Sequence, residues 1–391
     1  MERRIGEILG MLAGVIFLVS CSDTPGEVST QAENFTNIEN TFEGRIQVDA
    51  LDNYARQEIP GYIQQDNAGG NPVTDAGATL GRVLFYDKNL SLDNSISCAS
   101  CHQQQHAFSD TQIASTGVNG TTGRHSMRLV NARFSAERRF FWDKRAGDLE
   151  AQTTQPIQDH IEMGFSGQEG GPGIDELINR LEGIGYYREL FELAYGDAGI
   201  TEERMQTALA QFVRSIQSFD SKYDEGRGQV NNDQQDFPNF TPGENLGKRL
   251  FMDPPGQGGA GCAGCHRAPE FDIDPNTLNN GVVGRITDDE ALDLEVTRSP
   301  TLRDLVGPTG SSNGPFMHDG SLATLHEVLE HYDRLMIDPG NTNLDRRLAG
   351  RRGGQNLQLT DEEKNAIIAF LHTLSGTSVY TDEKWSDPFN N

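Results

Sequence analysis

Four cysteines and two histidines carry the plainest chemistry in this chain. They stand in two identical frames, Cys98-Ala-Ser-Cys101-His102 and Cys262-Ala-Gly-Cys265-His266. Two thiols at this spacing, followed at once by an imidazole, can add to the vinyl groups of a haem and hold the histidine over its iron. A bare Cys-x-x-Cys also serves as a redox dithiol or as half of a zinc site. Zinc takes thiolates and imidazoles tetrahedrally, which gives no reason for a histidine directly after each second cysteine. The frames therefore predict two covalently bound haem c groups, with His102 and His266 as the proximal ligands. The fifth cysteine, Cys21, stands apart, so none is left for a structural disulfide.

What such haems do depends on their far sides. A carrier of electrons has both axial positions filled, whereas a haem that activates peroxide leaves one open. For the second haem, Met317, Tyr332 and Met336 are the possible distal ligands. The stretch from Ser321 reads as a helix with Ser321 as N-cap. Leu325, Val328, Leu329 and Tyr332 fall on one of its faces. Tyr332 thus points inward, as a ligand or as a core phenol bonded elsewhere. A thioether would raise the iron potential, and a phenolate would stabilise the ferric state. Near the first haem, residues 156–164 supply an amide, an imidazole and a carboxylate. Peroxide cleavage needs a group that takes a proton from the near oxygen and returns it to the far one, and a carboxylate of raised pKa can do this. Glu162 is the candidate, with Gln158 to orient the peroxide, although residues of these types mostly lie in solvated loops. Trp142 could pass electrons between the haems, although packing is the commoner role of a tryptophan.

The elements that position these groups read as helices. Leu80-Gly81-Arg82-Val83-Leu84-Phe85-Tyr86-Asp87 precedes the first frame, and Leu246-Gly247-Lys248-Arg249-Leu250-Phe251-Met252-Asp253 precedes the second. This shared Leu-Gly-basic-x-Leu-Phe-x-Asp pattern indicates two copies of one haem-binding unit, each led by a short amphipathic helix. A helix from Thr201 to Phe219, with Thr201 as N-cap, carries a stripe of Met205, Leu209, Phe212, Val213 and Ile216. Thr360-Asp-Glu-Glu363 is a capping box ahead of Ile367, Ile368, Leu371 and Leu374, with Gly376 closing that helix. The predicted class is mainly α: two c-type cytochrome-like haem domains from an internal duplication, with long irregular loops. The predicted boundaries are 48–236 for the N-terminal peroxidatic domain and 237–391 for the C-terminal electron-transfer domain. A polar linker runs from Gly228 to Thr241.

The ends and the charge bound the setting. Arg3 and Arg4 precede an apolar run, Ile8 to Val19, that is short for a membrane span. Residues 1–20 read as a lipoprotein signal peptide, with Cys21 as the lipidated residue. An ordinary signal with a chance cysteine is the alternative. Residues 21–47 read as a flexible tether, which predicts a periplasmic protein touching the membrane only through its lipid. The chain has 391 residues with 58 acidic against 32 basic, a formal net charge of -26. Such a chain repels nucleic acid and suits steering toward a basic partner.

The motifs together resemble the bacterial dihaem cytochrome c peroxidases, including their MauG-type members, from about Ala78 to Gly376. The resemblance rests on both frames and their lead-ins. It rests also on Leu129-Val130-Asn131-Ala132, Phe141-Trp142-Asp143-Lys144-Arg145-Ala146, Pro156-Ile157-Gln158, Ile161-Glu162-Met163-Gly164 and Met317-His318-Asp319-Gly320-Ser321. It implies Glu162 as the active-site acid/base, Gln158 as its neighbour and Trp142 as the residue between the haems. It implies a structural calcium on Asn131, Asn313 and Pro315, with Asn313 where the peroxidases often have Thr. Tyr332 stands where many peroxidases place a distal Met and where MauG-type proteins place a Tyr ligand. His125 is off the spacing of the distal His that closes the peroxidatic haem in many members, which implies an open site there, with His125 swinging in as a ligand as the lesser alternative. Three functions follow in order. The first is reduction of hydrogen peroxide with electrons from a small cytochrome c or other redox protein. The second is MauG-type oxidation of a side chain on a partner protein. The third is non-catalytic electron carriage. A homodimer is compatible with any of them.

Overall fold

The computed structural model describes residues 35–287, 291–350 and 353–389. The signal peptide and Cys21 lie outside them. Threonine side chains start the principal helices. Thr74, Thr201, Thr241, Thr324 and Thr360 cap the helices Asp75–Tyr86, Glu202–Ser215, Pro242–Met252, Leu325–Asp333 and Asp361–His372, each accepting a first-turn backbone N–H. Among the described residues strand is limited to two antiparallel ribbons. Thr116–Gly117 pairs with Gly120–Thr121, and His266–Arg267 pairs with Asp272–Ile273.

The repeated Leu-Gly pattern builds the same crossing twice. Asp75–Tyr86 lies against Glu202–Ser215, and Pro242–Met252 lies against Asp361–His372. Glycine permits the approach. A Cβ on Gly81 would stand 2.1 Å from the Ala208 carbonyl oxygen, and one on Gly247 would stand 1.8 Å from that of Ala366. The basic residue that follows clamps backbone in both copies. Arg82 donates to Ser386 O at 2.7 Å and Glu383 O at 2.7 Å. Lys248 donates to Asp233 O at 2.6 Å and to Gln235 O. Alanine would favour an isolated helix by ~1 kcal/mol over glycine. At Gly247 the clash outweighs that gain, so Gly247→Ala should lower stability by ~1–3 kcal/mol, measured by thermal denaturation.

Apolar side chains form two main clusters. One holds Leu80, Leu84, Phe85, Leu209 and Phe212, and the other holds Leu250, Phe251, Phe271, Ile367 and Phe370. They do not follow the 236/237 boundary. Tyr223 packs in the second cluster, while Val379 and Trp385 pack in the first. Three further expectations are corrected. Residues 35–47 are not free tether, because the helix Thr36–Phe42 buries Ile38 and Phe42, whose ring meets Tyr186 and Phe389. The helix expected from Ser321 starts at Leu325, because the capping box is Thr324 with Glu327. The last long helix ends at His372. Gly376 serves instead as a close-approach point, its N–H donating to Asp304 Oδ1 at 2.9 Å.

Candidate functional site

Each Cys-x-x-Cys-His frame lines its own cavity. Cys98 and Cys101 begin and end a single helical turn, Cys98–Cys101, on a cavity of about 410 Å³. Cys262 opens a 3₁₀ turn, Cys262–Gly264, on a cavity of about 660 Å³. Both volumes fall within the ~300–1,000 Å³ of cofactor sites. Burial pushes the Cys98 thiol up to about 12 and Cys101 up to about 11. It does the same to Cys262, about 12, and Cys265, about 11. Redox dithiols work through a lowered thiol pKa, and burial moves all four thiols the other way. Among the described residues no three His, Cys, Asp or Glu side chains gather as a metal set.

The histidines are prepared as neutral donors. Burial lowers the pKa of His102 and takes that of His266 down to about 4. His102 Nδ1 lies 3.1 Å from the Phe108 carbonyl, which orients the ring and leaves Nε2 for a metal. The His266 ring sits at the end of the strand paired with Ile273, and its buried Nδ1 has no hydrogen-bond partner. Two free thiols and a half-buried imidazole on one cavity wall fit a haem c in both places.

Glu162 stands half-buried on the wall of the first cavity, with Cys98, Cys101 and His102. Its backbone is fixed from two sides. Asp159 Oδ1 accepts from Glu162 N at 3.0 Å, and Val118 N donates to Glu162 O at 3.0 Å. Gly117 makes the second contact possible, since a Cβ there would stand 2.1 Å from Ile161 O. Burial, then the Asp159 charge, pushes the Glu162 carboxyl up to about 7, while Arg145 pulls it down. Arg145 is exposed on the same cavity and stacks on Phe141 at 3.5 Å. Gln158 does not join this group. Its Nε2 donates to Glu202 Oε1 at 2.7 Å, which turns the amide away from the cavity lined by Pro156 and Asp159.

Trp142 lines both cavities. Its Nε1 donates to His125 O at 2.8 Å, and its ring meets that of His318 edge-on at 6.3 Å. His125 is buried, with Nδ1 2.9 Å from Gln112 O and Nε2 3.4 Å from Ser109 Oγ. In the second cavity, Leu325, Val328, Leu329 and Tyr332 line the wall together. Asn280 Nδ2 lies 3.1 Å from Tyr332 OH and 3.3 Å from Met317 Sδ, so phenol and thioether converge on one amide. Asn280 sits in a segment without periodicity, and nothing in the sequence marks it. Burial pushes the Tyr332 phenol up to about 12. Met336 is 78 % exposed and leaves the set of distal ligands, because its side chain faces solvent.

Of the residues expected at the calcium, Asn131 and Asn313 have side-chain partners, but among the described residues no N–H donates to the carbonyl oxygen of Asn313 or Pro315. Asn131 Oδ1 accepts from Ser218 N at 2.9 Å, and Asn313 Nδ2 donates to Asp304 O at 2.9 Å and Tyr380 OH at 2.8 Å. Pro315 follows a cis peptide bond and lines the second cavity. These offer few of the six to eight oxygens that calcium takes.

Comparison with known proteins agrees with this geometry. A family profile described as di-haem cytochrome c peroxidase matches residues 75–232. The methylamine utilization protein MauG of Methylophilus methylotrophus is 30% identical over 313 residues, covering 78% of this chain and 84% of that protein. The cytochrome c551 peroxidase of Nitrosomonas europaea is 30% identical over 76% of this chain and 80% of its own length. A crystal structure of a MauG-like protein associated with microbial copper homeostasis covers 86% of this chain and 99% of its own, with TM-score 0.67 and 27% identity.

Proposed function

The chain belongs to the di-haem cytochrome c peroxidase family, and from that premise we propose how its residues divide the work of reducing hydrogen peroxide. It is an oxidoreductase acting on peroxide, and a small cytochrome c or similar redox protein supplies the electrons. Haem c attached at Cys98 and Cys101 and at Cys262 and Cys265 would be held by His102 and His266. When bound, the two haems supply the electrons and the place where the O–O bond breaks.

The rest is done by the chain. Glu162 removes a proton from the near oxygen of peroxide and delivers it to the far oxygen, which leaves as water. With two electrons and two protons the products are two waters. The observation that carries this is the Glu162 carboxyl beside the first attachment frame, with its pKa raised to about 7. That value lets it accept and release a proton at neutral pH. Trp142, lining both cavities, is the connection between them. Gln158 has no part, since its amide is bonded to Glu202. Asn131, Asn313 and Pro315 could serve a calcium only in a structural role. The duplicated Leu-Gly crossing supports two haem units descended from one. The sequence up to Cys21 supports an exported, lipid-anchored protein in the periplasm. Among the described residues no helix is long and apolar enough to cross a membrane. The test is peroxide consumption by the purified protein carrying both haems, with reduced cytochrome c as donor. Consumption no faster than that by free haem peptide would overturn the reading.

One observation favours MauG-type oxidation of a partner protein as a second reading. A phenol, Tyr332, reaches the second cavity beside Asn280. Burial holds the phenol protonated, with its pKa raised to about 12, and the Asn280 N–H donated to its oxygen opposes that only in part. Tyr332→Phe should change the absorption and electron paramagnetic resonance spectra of one haem and raise its midpoint, leaving the other as it was. Identical spectra would exclude Tyr332 and leave Met317 as the ligand.

A further inference from the structure

The two cavities share a wall made of His125, Ser126, Met127, Arg128, Trp142 and Arg298. Two of these are cations, in a chain whose net charge is -26. Arg128 is 7 % exposed and its Nε has no hydrogen-bond partner. No carboxylate among the described residues pairs with it, and only Tyr380 and Asp304 act on its charge from a distance. Arg298 is 6 % exposed. Its guanidinium reaches Met127 Sδ at 3.0 Å, Ser135 Oγ at 3.3 Å and the Phe140 face at 4.6 Å, and its Nε is also unpartnered. Unlike Arg128 it feels two carboxylates, Asp272, which Ser135 bridges to it, and Glu137. Among the described residues the other buried arginines each pair with a carboxylate, Arg82 with Asp52, Arg214 with Glu150 and Arg303 with Asp224.

A buried guanidinium without a counter-charge is strongly unfavourable, because arginine keeps its proton and loses its hydration. Such a group persists where an anion completes it. The anion here must reach a wall common to both cavities and be planar enough for the arginine fork. Each haem carries two carboxylate side chains at one edge, and these are the anions the proposed cofactors bring.

We propose that Arg128 is a fixed internal cation that binds the carboxylates of both haems from the shared wall, with Arg298 as its second donor. This rests on the two-haem reading of the site. The pairing gives the haem edges a defined place beside Trp142. It also couples both irons to one positive charge. Nothing titrates and no bond is made, so the role is electrostatic positioning.

The test is the midpoint potential of each haem in Arg128→Gln and Arg128→Lys, after covalent haem has been counted. Fewer than two haems in the unaltered protein would remove the reading on which the proposal rests, independently of Arg128. With two haems present, loss of the cation should lower both midpoints in Arg128→Gln, because the ferric state gains relative to the ferrous. Arg128→Lys should retain most of the difference. Unchanged midpoints in Arg128→Gln, or a shift in one haem alone, would overturn the proposal. Should Arg128→Gln not accumulate, redox-difference infrared spectra of the unaltered protein carry the test. Carboxylate bands displaced from those of a solvent-exposed haem peptide support the pairing, and coincident bands overturn it.

Discussion

Replacing Glu162 with Gln should lower kcat/KM for hydrogen peroxide by ~10²–10⁴-fold, the range supplied by one positioned acid/base. The substitution keeps volume and removes only the ability to carry a proton. Both haems should remain attached, because Glu162 contributes to neither frame. The unaltered enzyme should also show the carboxyl in its pH profile. Glu162 must start ionised, and its pKa is about 7. The rate should therefore fall as the pH drops through about 7 and level off above it, while Glu162→Gln loses that inflection. Stability responds to the same group with the opposite sense. The folded pKa lies above the ordinary glutamate value of 4.5, so the folded chain binds this proton more tightly than the unfolded one. Stability from this group is present below pH 4.5 and is lost as pH rises to about 7. Glu162→Gln should remove that part of the slope. Turnover within twofold of the unaltered enzyme would exclude Glu162 as the proton carrier.

Glu162 was legible because its neighbourhood is local and patterned. The segment Ile161-Glu162-Met163-Gly164 is a short motif, and so are the two frames, the Trp142 stretch and the Thr201 and Thr360 caps. Each depends on residues a few positions apart, so Cys98–Cys101 fall in one helical turn and Thr201 and Thr360 each open the helix that follows them. Gln158 shows where that logic stops. It stands four positions from Glu162, yet its amide is claimed by Glu202, 44 residues away. No local pattern announces that partner. Asn280 is similar, because it matters only through Met317 and Tyr332, 37 and 52 positions downstream.

The fold followed the same division. The repeated Leu-Gly pattern announced two lead-in helices but not why glycine recurs. The reason is a carbonyl of a partner helix, Ala208 or Ala366, pressed where a Cβ would be. Residues 35–47 read as tether because Ile38, Phe42 and Ile46 are too few to suggest a core. They are buried by distant aromatic residues, Tyr186 and Phe389, that close over Phe42. Arg128 is invisible in the same way. A lone arginine in a loop reads as solvated, and only the cavities on either side make it an internal cation.

Arg303→Met should cost ~3–5 kcal/mol of stability, the usual consequence of stripping one partner from a buried ion pair. Arg303 is fully buried and grips Asp224 with two nitrogens, Nη1 to Oδ2 at 2.9 Å and Nη2 to Oδ1 at 3.0 Å. It also donates to Ser218 O at 3.3 Å and Pro269 O at 3.0 Å, and lies against Phe219, Tyr223 and Phe271. Methionine fills much of the volume but leaves the Asp224 carboxylate buried with only Tyr62 and Ser221 as donors. Adding Asp224→Asn removes the orphaned charge, so the double variant should be less destabilised than the sum of the two singles. Denaturant unfolding of the haem-loaded protein measures all three. Additive losses would mean that packing on the three rings, and not charge pairing, holds Arg303. The distinction matters for the site, because Arg303 ties residues 218–224 to the segment that carries Asp304. Asp304 in turn holds Gly376 N and accepts from Asn313. A loosened Arg303 would therefore reach the neighbourhood of Arg128, whose charge feels Asp304, before it reached either attachment frame.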